Sequence, residues 1–181
     1  MKIPVIFSTV TGNAVKLAFA AAGALDEPVG PYNVGYVLGD ERHNVKFVTD
    51  FVTDKYDAFV IVYWCDLGTA DRDTLELISR MRGKSLIVLG TLGVTVDSKH
   101  AADVKARVEA AVNKENKLLC HYLCQGAVDI SRTVNKLKTP ENESGTLSEE
   151  GFARHLRSQG HPDAAEIEAA ARAVREALSK L

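Results

Sequence analysis

Cysteine is scarce in this chain: Cys65, Cys120 and Cys124 are the three among 181 residues, and none forms a CxxC pair. So sparse and odd a set excludes a disulfide-stapled scaffold and fits a reducing compartment, so a cytoplasmic location is expected. Long apolar runs are also missing; nothing approaches the roughly 18 residues that a bilayer crossing needs. The short apolar stretch 2–7 runs straight into small polar residues and does not read as a signal peptide. Neither sign of charge dominates, since 22 Lys and Arg against 24 Asp and Glu leave a net charge of -2. That balance offers no basic field for a nucleic-acid backbone, so neither nucleic acid nor a membrane is expected as a partner. His43, His100, His121, His155 and His161 show no zinc-ligand spacing. Ser8 lies in no G-x-S-x-G elbow, and the glycine-rich loops of nucleoside triphosphatases and dinucleotide binders are absent as well.

What remains is a chain with 46% hydrophobic and 25% charged residues, enough for one domain over 1–181 with a sizeable core. Residues 2–7 read as a strand and 13–25 as a helix with Val15, Leu17, Ala18, Ala21 and Ala22 on its apolar face. Pro28, Gly30 and Pro31 read as a connection, followed by a weak second strand over 33–38 and a short helix or ragged turn over 44–53. Residues 58–64, AFVIVYW, have no polar alternation, which predicts a central parallel strand covered on both faces. A helix over 71–81, a buried strand over 85–89, a helix over 98–112 capped by Asp97 or Ser98, a strand over 117–123 and a helix over 130–137 follow. Residues 140–160 form a polar excursion with about one helical turn at 149–156, before a terminal helix over 162–178 with Pro162 in its first turn. Strands alternating with crossover-length helices predict a doubly wound α/β domain. In such sheets ligands bind where strands end.

The loop after the first strand carries the clearest chemistry. Ser8, Thr9 and Thr11 offer hydroxyl donors, Gly12 permits a tight turn, and Asn13 begins a helix whose first N–H groups have no partner in the helix. These residues predict an anion cradle that needs no lysine and suits a dianionic monophosphate.

Ser8, Thr9, Val10, Thr11, Gly12, Asn13 and Ala14 together resemble the phosphate loop of the flavodoxins, with Ala14 where that family usually has a last threonine. The likeness continues through Tyr63-Trp64-Cys65-Asp66-Leu67-Gly68-Thr69-Ala70-Asp71, Gly90-Thr91-Leu92-Gly93, Leu123-Cys124-Gln125-Gly126 and His161-Pro162-Asp163, which are similar to a long-tailed bacterial flavodoxin-like branch. The resemblance implies a three-layer α/β sandwich with a five-stranded parallel sheet in the order 2-1-3-4-5. It also implies FMN at the strand ends and electron transfer as the activity. On that reading, Trp64, Cys65, Asp66, Leu67 and Gly68 meet the flavin ring, and Gly68 supplies a peptide that adapts when the flavin is reduced. Trp64 either stacks on the ring or plugs the sheet. The peptide N–H groups of Thr91, Leu92 and Gly93 face the ring's pyrimidine edge, and Gln125 touches the far edge. Val94, Thr95 and Val96 stand where that branch commonly has a tyrosine and a proline.

Three functions follow as expectations. The first is an FMN-containing electron carrier that serves redox protein partners as a monomer or weak dimer. The second is an FMN-dependent NAD(P)H oxidoreductase acting on a quinone or small acceptor, with the 140–160 excursion walling its cavity. The third is a flavin-free interaction module of the same fold.

Overall fold

The computed structural model describes residues 1–35, 48–49, 52–137 and 147–181. Five parallel strands make the sheet: β1 (Ile3–Phe7), β2 (Pro28–Asn33), β3 (Ala58–Asp66), β5 (Ser85–Leu92) and β6 (Lys117–Gln125), in the order β2-β1-β3-β5-β6. The two-residue β4 (Thr69–Ala70) turns back antiparallel on β3, with Cys65 opposite Ala70 and Asp66 opposite Thr69. Apart from this hairpin, the order is the expected one.

Alternation along the central strands divides the core into two layers. Val60, Val62, Ile87 and Leu89 pack with α1 (Asn13–Gly23) and α6 (Ala164–Leu178) on one face. Phe59, Ile61, Tyr63, Leu86 and Val88 pack with α2 (Arg72–Arg80) and α3 (Lys99–Val112) on the other. Burial on both faces explains the unbroken apolar runs in β3 and β5.

The second strand differs from expectation. It spans Pro28–Asn33, so the Pro28, Gly30 and Pro31 read as a connection belong to it, and Val34 and Gly35 lie beyond its end. Its position at the sheet edge accounts for this, because an edge strand tolerates residues without an N–H donor. The register against β1 shifts between Pro4 and Ile6, beside Gly30 at φ 95°. Of the expected helix or turn over 44–53, residues 48–49 are helical and Thr53 opens a short 3₁₀ turn, Thr53–Lys55; 36–47 and 50–51 lie outside the described residues.

The other strands run longer than the sequence suggested. The β4 hairpin prolongs β3 to Asp66, and pairing between Leu92 and Gln125 prolongs β5 and β6. Trp64, Cys65, Asp66, Thr91, Leu92 and Gln125, expected at or beyond strand ends, are therefore strand residues.

The 130–137 helix forms as expected, as α4 (Ile130–Leu137), and the excursion carries a nine-residue helix, α5 (Glu149–Arg157), rather than a single turn; 138–146 lie outside the described residues. The Ser148 hydroxyl caps α5 by accepting from Gly151 N–H at 3.0 Å. The Thr133 hydroxyl lies 2.7 Å from His155 Nδ1 and joins the two helices. Helix α6 begins at Ala164, two residues after Pro162, because Asp163 and Glu166 form a reciprocal capping box.

Candidate functional site

The loop from β1 to α1 has its hydroxyls assigned unequally. Ser8 is buried and its hydroxyl serves the Asp71 carboxylate, which caps α2 by accepting from Thr74 N–H at 3.1 Å and from the Thr74 hydroxyl at 2.8 Å. Thr9 Oγ1 accepts from Gly12 N–H at 3.1 Å, which shapes the turn. Thr11 Oγ1 accepts from Asn13 Nδ2 at 3.0 Å and keeps its own proton free to donate. Gly12 caps α1 in the left-handed region, φ 85°, with no side-chain hydrogen bond and no acid in the first turn, so that turn's amides are uncapped. Ala14 is fully buried with its methyl group in the core, which corrects its expected place in the cradle to a backbone one at most.

These amides open into a cleft at the carboxyl ends of β1, β3, β5 and β6, with about 520 Å³ of empty space including its mouth. Val10, Thr11 and Asn13 form one rim, Trp64 and Cys65 a second, and Thr91, Leu92 and Gly93 a third. Strand order reverses between β1 and β3, which is where open α/β sheets hold ligands. A second recess, of about 780 Å³ including its mouth, lies between α2 and α3 and is lined by residues such as Leu75, Ile78 and Ala111, away from the carboxyl ends of the strands.

The fourth rim was missed by the sequence reading beyond Gly126: Ala127, Val128, Asp129 and Arg132 also line the cleft. Asn13 Nδ2 donates to the Ala127 carbonyl at 2.9 Å, and a Cβ on Gly126 would come within 3.0 Å of that same amide nitrogen. A Cβ on Gly93 would touch Val128 Cγ2 at 3.0 Å. The segment after β6 thus lies against both the first and the third rims. A charged pair at the start of the 130–137 helix was the available signal, and no local motif marks it.

Ser8, Thr9, Gly12, Ala14, Asp66, Leu67, Gly68 and Gln125 are outside the cleft lining. Leu67 and Gly68 make the two-residue turn of the β3–β4 hairpin with φ 46° and 80°, as the favoured hairpin turns require, and Leu67 is 96% exposed. The Gly68 carbonyl accepts from Arg107 Nη1 at 2.8 Å. Gln125 is buried, with its backbone N–H donating to Glu166 Oε1 at 3.3 Å.

Burial raises the Cys65 thiol, against the opposing pull of the Gly68 N–H and the Arg107 charge, so the cleft presents a neutral thiol. Burial likewise pushes Cys124 up to about 12. Behind the cleft, the Tyr63 hydroxyl lies 3.0 Å from His121 Nε2, and His121 Nδ1 lies 3.2 Å from Glu109 Oε1. His161, Asp163 and Glu166, which carry no ligand spacing in sequence, bring their ligating atoms within 4.8 Å of one another. The α6 capping box accounts for this: Glu166 Oε2 accepts from Asp163 N–H at 2.8 Å and lies 2.6 Å from His161 Nδ1.

Comparison with known proteins agrees with this architecture. The flavodoxin-like domain-containing protein BilS of Clostridioides difficile is 26% identical over 173 residues, covering 92% of this chain and 90% of BilS. Oxidised Flavodoxin 1 from Bacillus cereus superposes with a TM-score of 0.54 at 14% identity, over 100% of this chain and 99% of its own. A flavoprotein in complex with FMN from Lactobacillus acidophilus gives 0.50 at 10% identity, over 74% of this chain and 97% of its own. Likeness at these identities speaks for the fold alone. No helix among the described residues is long and apolar enough to cross a membrane. The family model of the flavodoxin domain matches residues 4–175, and the chain belongs to that family.

Proposed function

We propose that the cleft binds FMN and that the protein is an electron-transfer flavoprotein working with redox protein partners. The observation that carries this reading is the uncapped first turn of α1 beside the free Thr11 proton, at the switch point of the sheet. That donor set fits a phosphate dianion: it supplies N–H and O–H groups and contains no competing acid. Trp64 offers an aromatic surface at the neighbouring rim, and the main chain at Thr91–Gly93 offers polar groups for a planar ring. The FMN bound in the Lactobacillus acidophilus relative of the same fold supports this choice of ligand. When bound, FMN supplies one- and two-electron chemistry; the protein's part is to bind, orient and exclude water. The three free cysteines fit a cytoplasmic setting.

A second reading, FMN-dependent NAD(P)H oxidation with a quinone or small acceptor, is favoured by one feature. The segment from Gly126 to Arg132 walls the cleft, as a substrate cavity would require, whereas the described part of the excursion expected in that role, 147–160, is absent from the lining. The visible spectrum and reductive titration of purified protein decide the first reading: a colourless protein that takes up no added FMN overturns it. NAD(P)H consumption by FMN-loaded protein without any reductase partner would move the assignment to the second.

A further inference from the structure

We propose that Arg132 reads the anionic end of the cleft's ligand, closing on the phosphate that the Thr11 hydroxyl and the first turn of α1 receive. The proposal rests on the phosphate reading of the cleft and extends it to a residue outside the loop.

Among the residues lining the cleft, Asp129 and Arg132 carry formal charge. Asp129 has a local explanation. Its Oδ1 accepts from Ser131 N–H at 2.8 Å, and its bonds to Ser131, with a smaller attraction from the Arg132 charge, hold its carboxyl below the usual range, so it is an ionised cap at the start of α4. Arg132 is less fully accounted for: the Asp129 charge attracts it, but no direct contact uses its donors. It is exposed, and its guanidinium makes no hydrogen bond or ion pair with the described residues. It is also the third residue of α4, at the positive end of the helix dipole, where a cation is disfavoured; Lys136 in the last turn is where a cation belongs. A cation at the disfavoured end of a helix, inside a cleft and with its hydrogen-bond donors unused, points to a ligand.

The backbone beneath Arg132 is fixed. Ala127 N–H donates to the His161 carbonyl at 2.9 Å, Val128 N–H to Ser158 Oγ at 2.9 Å, and Gln159 Nε2 to the Val128 carbonyl at 2.9 Å. The Ala127 carbonyl in turn accepts from Asn13, the first residue of α1. The start of α4 is therefore held in register with the uncapped amides, and only the flexible Arg132 side chain has to close on a bound anion. The loop itself needs such help, because Ala14 has no hydroxyl and its methyl group is in the core. A guanidinium supplies paired donors and a permanent charge, which match a phosphate.

The test uses the full chain without flavin, as wild type, R132Q and R132K, titrated with FMN and with riboflavin by fluorescence quenching. The side chain is exposed, so its replacement leaves folding intact. R132Q is expected to weaken FMN by about 10- to 150-fold, the worth of one hydrogen bond to a charged group, and to leave riboflavin unchanged. R132K is expected to recover part of the loss, and wild-type FMN affinity is expected to fall more steeply with salt than that of R132Q. Equal FMN affinity in R132Q and wild type, or equal losses for FMN and riboflavin, overturns the role of Arg132 and leaves the flavin reading intact. If the wild type binds neither flavin, the flavin reading falls and inorganic phosphate decides. Broadening of the phosphorus resonance by wild type but not by R132Q then upholds Arg132 as an anion reader, and no broadening by wild type, or the same broadening by both, overturns it.

Discussion

At Thr11 one hydroxyl proton has no acceptor within the loop, because the oxygen takes its hydrogen bond from Asn13. Thr11→Ala removes that donor from an exposed position, so the folded apo protein should lose little. FMN affinity should fall about 10- to 150-fold, and fluorescence titration should show riboflavin unaffected. Gly90, just before the third rim in β5, serves the core rather than the cleft. An added Cβ at Gly90 would lie 2.3 Å from Cζ of the buried Tyr63 ring, so Gly90 makes room for a side chain. Gly90→Ala should therefore cost about 1–3 kcal/mol or more by overpacking, measured as a lower urea midpoint with little change in slope. A glycine needed by a ligand and one needed by a core tyrosine look alike in sequence.

Among the elements, the β3–β4 hairpin alters the role expected of Gly68. Its φ of 80° suits glycine, its carbonyl is held by Arg107, and it lies outside the cleft lining. Adding Cβ would crowd Arg107 Nη1 at 2.8 Å as well as strain the turn. Gly68→Ala should thus destabilise the apo protein by about 1–2 kcal/mol while changing FMN affinity far less than Thr11→Ala does. Because Arg107→Ala acts on the same contact, a double-mutant cycle in urea should show the two losses to be less than additive. Full additivity would separate Arg107 from the turn. The hairpin was not legible beforehand because its pairing rests on a two-residue return strand, too short for any periodicity. The second strand escaped for a related reason: at a sheet edge, Pro28, Gly30 and Pro31 carry the signature of a turn. The 58–64 run and the loop after the first strand were legible, since two-sided burial and uncapped amides leave local marks.

Across the whole molecule, the topology follows from apolar runs that need cover on both faces, whereas the fourth wall of the cleft depends on contacts distant in sequence, such as Asn13 with Ala127 and Val128 with Ser158. The Tyr63–His121–Glu109 chain, buried at Tyr63 and at the His121 side chain, also joins three separate elements, β3, β6 and α3, and its consequence is a pH dependence of folding. The His121 side chain is 1% exposed, and burial pushes its pKa down to about 4, against the opposing attraction of Glu109. The neutral ring satisfies both neighbours: Nδ1–H donates to Glu109, and Nε2 accepts from the Tyr63 hydroxyl. Between pH 6.5 and about 4 the unfolded chain binds a proton at this residue and the folded chain does not, so stability falls as pH falls. The loss from this one group is on the order of 2–3 kcal/mol. His155, lowered by burial and by Arg154 and Lys136, acts in the same direction. Asp71, raised by burial, acts in the opposite direction over the carboxylate range and blunts the acid end of the curve. Urea unfolding from pH 7 to pH 4.5 should show this decline, with a shallower slope in His121→Gln. The His121 ring resonances of the folded protein should stay at their neutral positions down to pH 5, and a midpoint near 6.5 would remove this histidine from the pH response.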